Sequence, residues 1–145
     1  MSERAAAVAA WEALFRAQVA VLRQLGSEFP DELSLNEYDV LFNLSRQDDH
    51  ALRIRDLNKH LLLTQPSVSR LVDRLAGRGL VRKEADPGDG RGTIVCLTDE
   101  GFALFRKVAI PHSTSIHRHM DVLTDDELAT LTALTDKLRR SVTDG

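Results

Sequence analysis

Apolar positions recur along the chain at steps of three and four in some stretches and at strand-like spacing in others, and the pattern divides it into elements. Residues 3–25 carry Trp11, Leu14, Phe15, Gln18, Leu22 and Leu25 along one side, which predicts a long amphipathic helix. Gly26 and Pro30 bracket the loop that ends it. A capping box of Ser34 and Glu37 opens a second helix, which runs to about Arg46 and turns Tyr38, Leu41, Phe42 and Leu44 inward. After the polar loop Gln47-Asp48-Asp49-His50, Leu52 and Ile54 predict a very short strand. A third helix over about 55–61 has Leu57 and Leu61 inward. Thr64 is the expected cap of a fourth helix, with Pro66 in its first turn and Gly77 and Gly79 at its end. Val68, Leu71, Val72 and Leu75 fall on its buried side, and Ser69, Arg70, Asp73 and Arg74 on its polar side. Strand-type residues follow from Leu80 to Ala85; Asp86-Pro87-Gly88-Asp89-Gly90 predicts a turn, and Thr93 to Leu97 the returning strand.

Thr98 caps the next helix, which reads to about His119 with Phe102, Phe105 and Val108 along it. Pro111 inside it removes one hydrogen bond and predicts a kink. Thr124 and Glu127 box the last helix, whose buried side is expected to hold Leu128, Leu131, Leu134 and Leu138. The pairs Leu33/Tyr38, Leu63/Val68, Leu97/Phe102 and Leu123/Leu128 straddle helix starts as hydrophobic staples.

A short helix, a tight turn and a second, polar-faced helix make a helix-turn-helix, and the hairpin after it makes a wing. The expected fold class is mainly α with a small β-wing (α+β). A winged helix-turn-helix module at 34–98 is flanked by helices at 1–33 and 99–145. Those terminal helices offer more apolar surface than the module can cover, so they are read as a dimerisation lobe, giving a homodimer. Such a module lays its second helix in the DNA major groove and its hairpin against the neighbouring minor groove.

Composition and charge change this picture little. The net charge of −3 is unevenly spread: residues 53–92 hold nine basic and five acidic side chains, a local +4, against −7 elsewhere. Phosphate binding depends on that local balance. No apolar run is read as approaching the ~20 residues of a membrane span. The N-terminus, interrupted by Glu3, Arg4 and Glu12, is not read as a signal peptide. A single cysteine, Cys96, excludes an internal disulfide and fits a cytoplasmic protein. No phosphate loop, nucleophile elbow or metal-spaced carboxylate cluster appears, so no enzyme, cofactor or metal site is expected. His112, His117 and His119 lack an i, i+4 pair.

Residues 64–101 resemble the MarR family of winged-helix transcription regulators. The family's wing and following helix read Asp-x-Arg, an apolar stretch, then Leu-Thr-x-x-Gly. Here Asp89-Gly90-Arg91, Ile94-Val95 and Leu97-Thr98-Asp99-Glu100-Gly101 match in order. The run from Ser67 to Leu75, then Gly79-Leu80-Val81, matches its recognition helix. The resemblance implies a homodimer on a palindromic operator of double-stranded DNA, usually a repressor released by a small-molecule effector bound between the helical lobe and the winged helix. Trp11, Phe15, Tyr38 and Phe42 are the aromatic candidates for that pocket, though rings at helical spacing also serve as core. The resemblance further implies that Asp89 supports the wing by pairing with Arg74. The family's redox sensors carry their cysteine near the N-terminus, where this chain has none. Two positions depart from the pattern: Leu62 stands where the helix-turn-helix turn often has glycine, and Gly90 where the wing often has a second arginine.

For DNA, Gln65 and Arg70 have the geometry for bidentate base contacts, Ser67 and Ser69 suit phosphates or base edges, and Pro66 suits a thymine methyl. Arg74 shares their face. Arg91 suits a narrow A·T-rich minor groove. Arg53, Arg55, Lys59 and Arg78 are phosphate candidates. The competing reading of the same elements is a winged-helix protein-interaction module, which would ignore DNA even at low salt.

Overall fold

The computed structural model describes residues 2–62 and 67–144. The elements are α1 (Glu3–Ser27), α2 (Leu35–Ser45), β1 (Ala51–Arg53), α3 (Ile54–His60), α4 (Val68–Gly77), β2 (Val81–Asp86), β3 (Asp89–Leu97), α5 (Asp99–Met120) and α6 (Asp125–Thr143). The expected helices are all present among the described residues. Both capping boxes form: Glu37 N–H donates to Ser34 Oγ and Glu127 N–H to Thr124 Oγ1, while each glutamate accepts the cap's own N–H. Hydrogen bonds from the cap to the third residue satisfy donors that the first helical turn leaves open.

The chain divides into two compact units, residues 1–112 and 113–145. The first holds the core. Leu33, Val40, Leu41, Leu44, Leu57, Leu71, Val72, Leu75, Val95 and Val108 are buried together, with Phe29, Tyr38, Phe102 and Phe105 packed against them. Thus α2, α3, α4 and the sheet share one interior, and the polar face of α4 is left outside. The sheet is antiparallel in the order β1-β3-β2. The short strand is Ala51–Arg53; Ile54 already opens α3.

The end of α4 is set by a glycine. Gly79 has φ +75°, its N–H donates to the Ala76 carbonyl, and Leu80 N–H donates back to the Leu75 carbonyl. This pair of bonds satisfies two of the last carbonyls and turns the chain into β2. Leu62 needs no such conformation: among the described residues other than glycine, His50 alone has positive φ, at +56°.

Three expectations are corrected. The wing turn is a two-residue link, Pro87-Gly88, rather than the five residues 86–90. Asp86 already pairs with Asp89, and its carboxylate accepts the Gly88 N–H at 2.9 Å, closing the corner early. The terminal helices bury nothing in the single chain: α1 and α6 contain no buried residue. Trp11, Phe15, Leu131, Leu134 and Leu138 are exposed, so three of the four leucines expected inside α6 line an open face, and Leu128 is half-buried. Finally, α1 is long and apolar enough to cross a membrane by length and composition alone. Its many alanines raise the average that its scattered charges lower.

Candidate nucleic-acid interface

The polar face of α4 is built from its first turn. Ser67 is extended (φ −156°, ψ 112°) and its hydroxyl accepts the Arg70 N–H at 3.2 Å, so Ser67 caps the helix. The expected cap, Thr64, and the expected base readers Gln65 and Pro66 lie outside the described residues, as does Leu63 of the second staple. The capping bond engages the hydroxyl that was assigned to phosphate or base. Ser67→Ala is expected to cost ~1 kcal/mol, the usual value of an N-cap, read as a lower thermal midpoint at fixed protein concentration.

Most of the basic side chains around α4 are spoken for. Arg78 Nη1 meets Glu37 Oε2 at 3.0 Å, and its Nη2 donates to the Glu32 carbonyl. Arg74 Nε lies 4.0 Å from the same carboxylate. This corrects the expected Arg74–Asp89 pair. Glu37 is buried with its second oxygen turned to the last turns of α4, so it takes the arginine, and Asp89 instead accepts the Arg91 N–H at 3.1 Å. Lys83 on β2 bonds Asp73 on α4, and Arg82 Nε meets Glu84 at 2.9 Å. Lys59, largely exposed, lies 4.0 Å from Asp56.

Arg53 is a wing support rather than a free cation. Its Nε sits 2.7 Å from Oδ2 of Asp86, which is buried beside the wing turn. The contact is close, but the N–H is not aimed squarely at that oxygen, which has no aligned donor. Sequence reasoning gave this duty to Asp89. The Asp-Pro-Gly corner was the available signal, since aspartate before such a corner accepts a nearby backbone N–H.

What remains unpaired stands out. Arg55, Arg70 and Arg91 are exposed and have no side-chain partner among the described residues. Arg91 does not sit at the hairpin tip. The register passes from Ala85↔Thr93 to Asp86↔Asp89, so Gly90, Arg91 and Gly92 have no residues opposite them on β2 and form a bulge. A Cβ at Gly92 would lie 3.1 Å from Asp86 Cβ, so the bulge folds tightly over the buried aspartate and presents Arg91 outward. Ser69 is exposed on α4 beside Arg70.

The family model that matches the chain, over residues 31–92, is that of the MarR family. The HTH-type transcriptional regulator PecS of Dickeya dadantii is 28% identical over 129 residues, covering 88% of this chain and 78% of PecS. The crystal structure of AbsC, a MarR family regulator from Streptomyces coelicolor, superposes with a TM-score of 0.82 at 26% identity, covering 100% of this chain and 98% of AbsC. Sco3205, a MarR family regulator from the same organism solved in complex with DNA, gives 0.81 at 26% identity over 92% of this chain and 86% of its own.

The chain resembles the MarR family in sequence over residues 31–92 and in fold.

It is a winged-helix transcription regulator, and its relatives are regulators rather than enzymes. In this chain the four rings expected to form one pocket fall into two groups. Trp11 and Phe15 pair with each other at 5.5 Å on exposed α1. Tyr38 and Phe42 belong to a different cluster, in which Tyr38 meets Phe29 and Phe105 at 5.3 Å each and His112 at 5.0 Å. His112 also lies 4.7 Å from Phe29. Sequence reasoning weighed His112 only as a metal ligand and left Phe29 out. The missing signal was tertiary, since these residues come from the loop after α1, from α2 and from α5.

Burial holds the His112 imidazole below its ordinary range, with Glu28 pulling weakly the other way. A histidine lowered on folding favours the neutral ring in the native state. Stability is then complete above the ordinary value of about 6.5 and falls as pH drops from there toward the native pKa. The expected result is a thermal midpoint that declines as pH falls below about 6.5, with part of the decline absent in His112→Phe. Burial also pushes the Cys96 thiol up, which disfavours the reactive thiolate.

Proposed function

We propose that the chain acts in the cytoplasm as a homodimer on a palindromic operator, as a repressor released by a small aromatic effector. The observation that carries the DNA-reading part is the set of unpaired cations. In a module where most basic side chains are engaged with acids of the same chain, Arg70 on the outer face of α4 and Arg91 on the wing bulge are left to solvent. Charges left open at the two points that a winged helix offers to the major and minor grooves suit phosphate and base contacts. Arg55 joins them at the start of α3, and Lys59, held only by a distant aspartate, remains available to phosphate.

The homodimer is supported by the open apolar faces of α1 and α6. Such faces suit the helices outside 34–98 to a dimerisation lobe. Two-fold symmetry would set paired α4 helices about one helical turn of DNA apart, ~34–36 Å. The effector is supported by the cluster of Phe29, Tyr38, Phe42, Phe105 and His112, half-buried rings with one polar edge. A structural neighbour, BpsR of Bordetella bronchiseptica, is described as having its DNA binding regulated by 6-hydroxynicotinic acid; it superposes with a TM-score of 0.78 at 26% identity.

The test is selection of a duplex from a randomised pool by the purified chain, then titration of that duplex at several salt concentrations. Expected are a selected inverted repeat, two chains bound per repeat, and affinity that falls steeply with salt. A chain that sediments as a single subunit, or retains no duplex in dilute buffer, overturns the proposal.

A further inference from the structure

Two buried acids on α2 are left over once the wing and α4 have been described as surfaces. Glu37 and Asp39 are 8% and 6% exposed. A carboxylate taken out of water is unfavourable unless it is fully engaged, so each must be held by specific partners. On a helix with about 100° between successive residues, positions two apart point roughly 200° apart, and so these two reach different neighbours.

Glu37 Oε1 accepts the Ser34 N–H at 2.9 Å, while Oε2 takes Arg78 at 3.0 Å and Arg74 at 4.0 Å. It therefore holds the last turn of α4. Asp39 Oδ1 accepts from Asn43 Nδ2 at 3.0 Å, and Oδ2 accepts the backbone N–H of Leu62 at 2.9 Å. It therefore holds the chain where α3 gives way to the turn before α4. The Leu62 side chain is itself 83% exposed, so packing of that side chain does not fix this stretch. Between the two acids in sequence, Tyr38 sits against Phe29, Phe105 and His112.

We propose that α2 is a bracket that sets the recognition helix on DNA, gripping the chain at Leu62 through Asp39 and the last turn of α4 through Glu37. Both are positioning residues and touch no nucleic acid. Leucines at 37 and 39 would fill the same space, but they could not hold a backbone N–H or a guanidinium at a fixed place. Because the ring cluster bears on the residue between the two grips, a displacement of α2 is felt together at Leu62 and at the last turn of α4. The inference rests on the DNA-reading role proposed above.

The test separates the two. Amide hydrogen exchange needs no DNA: in the unaltered chain the Leu62 N–H is expected to exchange at least ~100-fold more slowly than an open-chain amide. Asp39→Asn keeps the volume but leaves one oxygen for two donors. It is expected to speed exchange at Leu62 at least ~10-fold and to cut the preference for the selected duplex over a random duplex of equal length by at least ~10-fold. Salt-driven binding to the random duplex should stay as it was, because no exposed cation has been removed. Glu37→Gln should lower the same preference, and Glu84→Gln, on the exposed Arg82 pair, should not.

Open-chain exchange at Leu62 in the unaltered chain overturns the proposal, and this measurement decides it if Asp39→Asn fails to fold. So does an Asp39→Asn chain that exchanges quickly yet keeps its preference, or one that loses both duplexes equally. If the unaltered chain selects no duplex at all, the DNA-reading role fails instead, while exchange at Leu62 still reports on the grip.

Discussion

Gly101→Ala is expected to destabilise the chain by ~3 kcal/mol or more, a fall of roughly 10 °C in the thermal midpoint at fixed concentration. The reason lies in how α5 is fastened. Thr98 Oγ1 accepts the Gly101 N–H at 3.0 Å and donates to the Gly79 carbonyl at 2.6 Å, and Thr98 N–H donates to the Leu80 carbonyl at 3.2 Å. These bonds draw the first turn of α5 onto the joint between α4 and β2. A Cβ at Gly101 would lie 2.9 Å from both the Leu80 carbonyl carbon and Leu97 Cδ1, and closer still to the Leu80 oxygen. Two of those three atoms are backbone and cannot swing aside, so α5 must lift and the Thr98 bonds must lengthen. Gly77→Ala supplies the contrast. It sits in the last turn of α4 with nothing within 4 Å of the added carbon, and it is not among the glycines with positive φ. There alanine should be neutral or add up to ~1 kcal/mol. Equal effects at the two positions, followed by thermal or urea unfolding, would refute the packing argument.

The glycine of Leu-Thr-x-x-Gly thus has a steric cause that sequence alone does not supply, although the motif itself was legible. What could be read directly was local. Ser34/Glu37 and Thr124/Glu127 announce helix starts because the capping box is written in residues three apart, and Val68, Leu71, Val72 and Leu75 announce the buried face of α4 because helical periodicity is local too. Even here the cap was read at Thr64, but Ser67 caps α4, so the helix starts at Val68, three residues later than that reading put it.

What could not be read depended on the partner across the fold. An acid on an amphipathic helix reads as solvent-facing, so Asp39 passed unnoticed and Glu37 was seen only as half of a capping box, although both are buried. The Arg74 partner was placed on the wing by analogy, while the buried carboxylate on α2 competed for it more effectively. In the same way Arg53 was counted as a free cation until Asp86 was found beneath it. Summing charge along residues 53–92 gave a local balance of +4. It could not say which cations are spent inside the protein, because ion pairing joins residues far apart in sequence.

That distinction sets the second large effect. Arg91→Ala is expected to weaken binding to the selected duplex ~10- to 100-fold and to lower the salt slope by about one, with the fold and the number of subunits unchanged. Arg91 is exposed in a bulge between two glycines, and its backbone is fixed by the bond from its N–H to Asp89. The loop is therefore set in place before DNA arrives, and little ordering is left to oppose contact. Arg91→Lys should recover the salt slope but only part of the affinity, because a point charge replaces the planar fork that fits a narrow groove. Arg82→Ala removes an equal charge from the same hairpin, but one already joined to Glu84, and should change affinity little. If Arg82→Ala and Arg91→Ala weakened binding alike, the wing would be acting through its general charge, and the special place of Arg91 would be lost. If Arg70→Ala, on α4, lowered the preference among sequences while Arg91→Ala lowered affinity for all of them, base reading would lie in the helix and grip in the wing. That is the division of labour a winged helix needs, because only the major groove presents a distinct donor and acceptor pattern for each base pair.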